Sequence, residues 1–273
     1  EAVPSAERVS EVATWIVERD GEAVRRLQWV IHEQPVTLYL NGEELVTLLC
    51  AGHHLDELAV GFLYAEGFMD RPEDIVSLVV NEERERVDIV LATDPSRTER
   101  RLRRMVTSGC GKGSAFALAV DELFDHPVES SLRITPADII GRMEDLRRLS
   151  ETYRRTHGVH NTILATPHEV VLFRDDIGRH NAVDMVVGHA FLRRLDLSGM
   201  MLITTGRLTS ELLMKMARVR LPVVVSRNTA TTMAVQLASD LNITLIGYAR
   251  AGHFTVYAGG ERVAGLSSNV EGA

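Results

Sequence analysis

At 273 residues the chain is long enough for one domain or two, each with a sizeable core. Its 45% hydrophobic and 25% charged residues describe a folded globular protein and exclude a disordered one. A net charge of −8 excludes general nucleic-acid binding, which needs a surplus of Lys and Arg against phosphate, so any anion site must be local.

The N-terminal hundred or so residues read mostly as strands. EVATWIVE (11–18) and RRLQWVIHE (25–33) mix apolar and charged positions, and VTLYLNGEELVTLL (36–49) carries Asn41-Gly42, the strongest short hairpin signal, so a β-meander is expected. A helix follows in HLDELAVGFLYAEG, with Leu55, Leu58, Phe62 and Ala65 on one face and Gly67 as its left-handed stop. IVSLVV and VDIVLA are two more strands. DPSRTERRLRR has charge without a periodic apolar face and predicts an exposed loop, which brings Arg97, Arg100, Arg101, Arg103 and Arg104 just ahead of Cys110. After a helical stretch at SAFALAVDELF, Thr135 as N-cap, Pro136 and Asp138 open a helix with Ile139, Ile140, Met143, Leu146, Leu149 and Tyr153 on its apolar face and Gly158 as its stop.

Beyond it strand and helix alternate: NTILAT, EVVLFR, AVDMVVGHAFLRRL, MLITT, SELLMKMARVR, PVVVS, TATTMAVQLASDL, ITLIGYA, FTVYA. Alternation of this length indicates βαβ units and an α/β layer structure with a mostly parallel sheet. The expected organisation is a β-rich α+β N-terminal domain (1–105), a cysteine loop with a connecting helix (106–134) and an α/β cofactor-binding domain (135–273).

Ligands of open α/β sheets bind beyond the carboxyl ends of the strands. Four loops fall there: RDDIGRHN (174–181), TTGRLTSE (204–211), SRNTATT (226–232) and YARAGH (248–253). Each holds an arginine and three enter a helix, whose free N–H groups and partial positive charge suit phosphate. The plainer reading of Thr209, Ser210, Asn228 and Thr229 is helix capping. In RDDIGRHN, the cluster Asp175, Asp176, Arg179, His180, Asn181 and Asp184 reads either as a hydrogen-bonded scaffold or as part of a site, with Asp184 to Arg179 or His180 as local helix-start pairing. His53-His54 and His157/His160 read as helix-boundary residues; the zinc deaminase pattern of His-x-Glu with Pro-Cys-x-x-Cys is missing, and no structural metal is expected.

Of the two cysteines, Cys50 in LVTLLCAG fits a buried position. Cys110 in TSGCGKG sits among small and polar residues, where Lys112 and the preceding arginines would favour the reactive thiolate; a lone cysteine does not decide between chemistry and mere housing. Two cysteines without framework spacing, an N-terminus without a secretory layout and the lack of a long apolar run lead to the expectation of a cytoplasmic protein with no membrane segment.

In order along the chain, ELAVGFLYAEGFM, TSGCGKGS, FRDDIGRHNAVD, TTGRLTSELLMKMA, PVVVSRNTATTMAVQLA and LIGYARAGHFTVYA resemble the FdhD family of formate dehydrogenase accessory sulfurtransferases, over about residues 25 to 260. The resemblance implies a cytidine-deaminase-like three-layer fold without zinc chemistry, a homodimer, and sulfur received as a persulfide from a cysteine desulfurase. The sulfur would pass to the bis(molybdopterin guanine dinucleotide) form of the molybdenum or tungsten cofactor, bound as substrate, before its insertion into formate dehydrogenase. It makes Cys110 the catalytic residue and Tyr248, Ala249, Arg250, Ala251, Gly252 and His253 the cofactor-binding segment. Arg207 and Arg227 are expected to join Arg250 on pyrophosphate or guanine edges, because a guanidinium binds such groups through two parallel bonds. Many members read Cys-x-x-Cys where this chain has Cys110-Gly111-Lys112-Gly113, which excludes dithiol cycling within the motif but leaves a one-sulfur relay intact. His253 likewise stands where the family commonly has arginine.

Overall fold

The computed structural model of the protein describes residues 8–92, 124–250 and 252–266. The arginine-rich loop, Cys110, all but the last residue of the helix expected at SAFALAVDELF, and Ala251 lie outside the described residues.

The chain begins with strands β1 (Val9–Val17) and β2 (Ala23–Ile31), which pair antiparallel as a separate two-stranded ribbon. The expected meander therefore does not form: β3 (Gln34–Leu40) and β4 (Glu43–Cys50) belong to another sheet. Asn41 and Gly42 turn that hairpin with φ 52° and 88°, the doubly left-handed backbone that Asn-Gly accepts. With β5 (Ile75–Asn81) and β6 (Arg86–Leu91) they form a four-stranded sheet in the order β4-β3-β6-β5, in which β3 and β6 run parallel.

Helix α1 (Leu55–Ala65) crosses that sheet, and Gly67 follows it at φ 82°. The predicted single apolar face is too narrow. Glu57, Ala59, Val60, Gly61 and Leu63 are buried along with Leu55 and Leu58, because the sheet packs on one side and a second helix on the other. Helix α2 (Pro136–Leu149) starts with the expected box, Thr135 Oγ1 accepting from Asp138 N and Asp138 Oδ2 from Thr135 N. It does not continue to Gly158. Ser150 donates to the Leu146 carbonyl at 2.5 Å and breaks it, and α3 (Glu151–Thr156) is stopped by His157 at φ 53°.

The remaining elements are β7 (His160–Ala165), β8 (Val170–Asp176), α4 (Arg179–Leu192), β9 (Met201–Thr204), α5 (Ser210–Arg218), β10 (Val223–Ser226), α6 (Thr232–Asp240), β11 (Thr244–Arg250) and β12 (His253–Ala258). Their six strands make one sheet in the order β12-β11-β10-β9-β7-β8. The centre, β9, β10 and β11, is parallel as strand–helix alternation requires. The hairpin partners β7–β8 and β11–β12 pair antiparallel, as does β7 with β9, so the sheet is mixed. β9 and β10 are buried along their whole length, one face on α4, α5 and α6 through Leu202 and Val224, the other on α2 through Ile203, Val223 and Val225. This is a three-layer α/β/α arrangement. Among the described residues no helix is long and apolar enough to cross a membrane.

Helices α1 and α4 meet at two glycines. A Cβ on Gly61 would stand 1.8 Å from the Asp184 carbonyl oxygen, and one on Gly188 1.9 Å from that of Glu57, so the backbones touch where any side chain would separate them. Gly61→Ala or Gly188→Ala is expected to cost about 3 kcal/mol, the upper range for overpacking, in a chemical denaturation series. Gly141→Ala, in α2 with nothing within 4 Å, should instead add about 0.5 to 1 kcal/mol.

His54 caps α1 in the left-handed region (φ 48°). Burial, then the charge of Arg174, lowers its pKa from the ordinary 6.5 to about 4. The unfolded chain thus takes up this proton first, and stability falls as pH drops from 6.5 to about 4. His54→Asn keeps the backbone conformation and removes the proton. The slope of stability against pH in that window should shrink, though burial also lowers His160 and leaves part of it.

Candidate active site at the carboxyl edge of the sheet

Because β8, β9, β10 and β11 all point the same way, the four loops singled out in the sequence emerge at one edge. In the first, the carboxylates are scaffold. Asp176 Oδ2 accepts from Ala51 N at 2.8 Å, and Oδ1 accepts from Gly178 N and Asn181 Nδ2, both at 2.8 Å. Burial pushes the Asp176 carboxyl up against these donors. Asp175 accepts from Arg8 Nη1 at 2.7 Å, with His53 Nε2 3.3 Å from the same oxygen. Burial opposes ionisation there, yet the His53 and Arg8 hydrogen bonds hold the carboxyl below the usual range.

The expected local pairing of Asp184 does not occur. Its two oxygens accept from Lys215 Nζ at 2.8 and 2.9 Å, fully inside the protein, because Asp184 faces α5 rather than its own helix start. Asp184 in turn holds the Lys215 ammonium protonated against its burial. His180 Nδ1 lies 2.9 Å from Glu211 Oε1, a contact that lowers the Glu211 pKa. Arg179 and His180 are thereby the members of RDDIGRHN that face the open edge.

The next loops are laced to one another. Gly206 N donates to Thr204 Oγ1 at 3.2 Å, Ser226 Oγ to the Gly206 carbonyl at 2.5 Å, and Arg227 N to the Thr204 carbonyl at 3.2 Å. Leu208 N donates to Thr229 O and Thr231 N to Leu208 O, each at 3.0 Å. Thr209 caps α5 as expected, whereas the cap of α6 is Thr231, not Asn228 or Thr229. Tyr248 N donates to Asn228 O at 3.0 Å and draws the fourth loop in.

In that loop Tyr248 adopts φ 51° in a bulge between Gly247 and Arg250. A Cβ on Gly247 would stand 2.7 Å from the Tyr257 ring and 2.8 Å from Asn228 O, so only glycine lets the loops meet. Arg250 pairs with His253 to close the hairpin, with Gly252 at φ 81°. Of the predicted cofactor-binding segment, Tyr248, Arg250, Gly252 and His253 are exposed and the Arg250 guanidinium lies 5.6 Å from the Tyr248 ring centre; Ala249 is turned into the core. Arg207 and Arg227 are exposed at the same edge.

A small, shallow depression lies between the starts of α4 and α5, bordered by Arg179, His180, Thr204, Arg207, Thr209 and Lys215. Among the described residues, Arg179, Arg207, Arg227 and Arg250 form no ion pair with a carboxylate. No group of three or more His, Cys, Asp or Glu among the described residues could hold a metal ion. Cys50 is buried, and burial pushes its thiol up to about 11, well away from reactivity. Sequence reasoning missed Lys215 and Glu211. The signal for Lys215 was a charge among Leu212, Leu213 and Met216, on a face that buries apolar side chains.

A three-layer α/β protein with arginine-bearing loops gathered at the carboxyl edge is the class the fold defines. The particular family follows from comparison: residues 31–264 match the FdhD/NarQ family, and the chain belongs to it. It is 35% identical over 245 residues to the sulfur carrier protein FdhD of Staphylococcus haemolyticus (strain JCSC1435), covering 89% of this chain and 93% of that protein. The sulfur carrier protein FdhD of Bacillus subtilis (strain 168) is 35% identical over 244 residues, with the same coverage. Among solved structures, one described as a formate dehydrogenase accessory protein from Desulfotalea psychrophila superposes with a TM-score of 0.77 at 23% identity, over 94% of this chain and 99% of that one.

The buried Asp184–Lys215 pair gives a test of the scaffold. Lys215→Met leaves Asp184 unpartnered in the interior and should cost about 3 to 5 kcal/mol in denaturant unfolding, whereas the double change Asp184→Leu/Lys215→Met should recover much of that loss.

Proposed function

We propose that this chain is a sulfur carrier for formate dehydrogenase maturation. Cys110 receives sulfur and passes it to the bis(molybdopterin guanine dinucleotide) form of the molybdenum or tungsten cofactor, held as substrate at the carboxyl edge of the sheet. The observation that carries the reading is membership of the FdhD/NarQ family together with four arginine-bearing loops meeting at one edge. In the loading step the Cys110 thiolate attacks the terminal sulfur of a cysteine desulfurase persulfide. The donor S–S bond breaks, the donor cysteine leaves as its thiolate, and Cys110 carries the persulfide. Lys112 and the arginines at 97–104 favour the thiolate.

At the receiving edge, Arg207, Arg227 and Arg250 supply planar donors for pyrophosphate or for a guanine edge, and Tyr248 offers a ring face beside Arg250. The laced loops give these side chains a fixed backbone base, so the ordering left for binding is that of the exposed arginine arms themselves. A homodimer, which the resemblance implies, and a cytoplasmic location, expected from two cysteines without framework spacing, complete the reading. A carrier of the cofactor without sulfur chemistry is the second reading, favoured by Gly113 where the family often has a second cysteine.

Mass spectrometry after incubation with a cysteine desulfurase and cysteine separates them. The expected result is a gain of one sulfur atom on Cys110, lost in Cys110→Ala, with GDP affinity and melting temperature unchanged in the variant. Equal sulfur loading in Cys110→Ala would sink the relay, and no loading in either protein would leave carriage alone.

A further inference from the structure

We infer that the apolar face of the β1–β2 ribbon is the surface through which two copies of this chain meet, each ribbon laid tip to base along the other. That two copies pair at all rests on the homodimer in the function proposed above; the choice of face rests on the ribbon alone.

An isolated two-stranded ribbon is marginally stable in water and needs a further layer to pack against. This one is tied down at its base. Arg8, just ahead of β1, donates to Asp175 Oδ1 at 2.7 Å and to Thr152 Oγ1 at 3.2 Å, and His32 N, just after β2, donates to the Arg8 carbonyl at 2.8 Å. Helix α3 covers the neighbouring residues: the Arg155 guanidinium lies 4.2 Å from the Trp29 ring centre, and a Cβ on Gly158 would stand 2.8 Å from the Ile31 side chain. Toward the tip the apolar side chains stay in water, with Trp15 65% exposed, Val17 64% and Leu27 62%. Seven of the seventeen large hydrophobic residues exposed among the described residues fall on these two strands, which makes the ribbon the main apolar patch of the described surface.

Register divides these side chains between two faces, since residues directly opposite each other point the same way. From base toward tip, one face carries the pairs Glu11–Trp29, Ala13–Leu27 and Trp15–Arg25. The other mixes Thr14, Arg26 and Gln28 with valines, as a solvated face does. The first face thus holds both tryptophans of the chain, a residue type that commonly carries the energy of an interface. Its two charges point to the occupant. Glu11 lies toward the base and Arg25 toward the tip, with an apolar pair between them. Tip-to-base pairing about a twofold axis sets Glu11 of each copy toward the partner subunit's Arg25, so both charges are matched twice while the rows between them bury apolar surface. Across most of its surface a chain of net charge −8 repels its own copy; this face, with one acid and one base, does not.

Sedimentation equilibrium of the full chain, with tryptophan emission read along the same dilution series, tests this. Wild type should sediment as two copies, and its emission should move to longer wavelength on dilution, because the only indoles it has return to water. Leu27→Glu puts a charge in the middle of the contact and should raise the dissociation constant about thirtyfold or more, the scale of a hot-spot residue. Gln28→Glu, on the opposite face, should leave it unchanged. A charge exchange serves if the Leu27 variant is unstable. Glu11→Arg and Arg25→Glu should each weaken pairing, and the two together should restore it; the residues lie two rows apart within one ribbon, so restoration reports contact between copies. A dimer of unchanged strength in Leu27→Glu and in both single charge variants overturns the chosen face and leaves the homodimer standing. A wild type that stays monomeric at every concentration overturns the inference and the homodimer with it, while sulfur loading of Cys110 still decides the carrier reading.

Discussion

The contact between Gly61 and Gly188 is the constraint on which the rest of the molecule depends. Two helices from distant parts of the chain approach until the backbone of each rests on the other, with prospective Cβ positions under 2 Å from a carbonyl oxygen on both sides. That closeness joins the layer on the four-stranded sheet to the layer on the six-stranded one. It also brings Glu57 within reach of α4 and β8, where its carboxylate accepts from Arg174 at 2.6 and 2.7 Å and lies 2.8 Å from His189 Nδ1. Burial works against the Glu57 charge, yet these partners hold its pKa below the ordinary value. A wider crossing would leave a buried carboxylate without its partners, so the glycines and the ion cluster require each other.

Helix α4 then works at both ends of the problem. Its middle is clamped by α1, and its first turn presents Arg179 and His180 at the carboxyl edge. Between them Asn181 ties the start of the helix to the Leu49 carbonyl and to Asp176, and Asp176 reaches on to the Ala51 amide. The edge is thus braced from behind by the residues around β4, far away in sequence. The backbone that carries the front side chains is positioned by buried polar bonds behind it.

The architecture was legible where one local rule decides the outcome. Asn41-Gly42, the Thr135-Pro136-Asp138 box and the strand–helix alternation after residue 160 all appear as read. The four loops were found from their composition and a topological rule, without any contact being known. Pairing between distant segments was not legible. Nothing in β2 announces that it pairs only with β1, and the one-face reading of α1 missed that two neighbours cover it. Gly61 and Gly188 did carry a signal, a glycine inside an otherwise good helix, which commonly marks close packing. The roles within RDDIGRHN divided by burial, a property spacing does not reveal: Asp175 and Asp176 point inward, Arg179 and His180 toward the edge.

A net charge of −8 and an anion-attracting edge coexist because charge is compartmented. Three carboxylates near the edge are consumed internally, Asp175 by Arg8, Asp184 by Lys215 and Asp176 by amide donors, while Glu211 stays exposed beside His180. The exposed cations of the four loops are Arg207, Arg227 and Arg250. Long-range attraction of an anion to the whole molecule is therefore weak, and discrimination falls to the last few ångströms, inside a Debye length of about 8 Å. On the proposed function, such a surface suits a compact anionic ligand whose charge fits within one edge, because an extended polyanion such as nucleic acid needs a longer basic track.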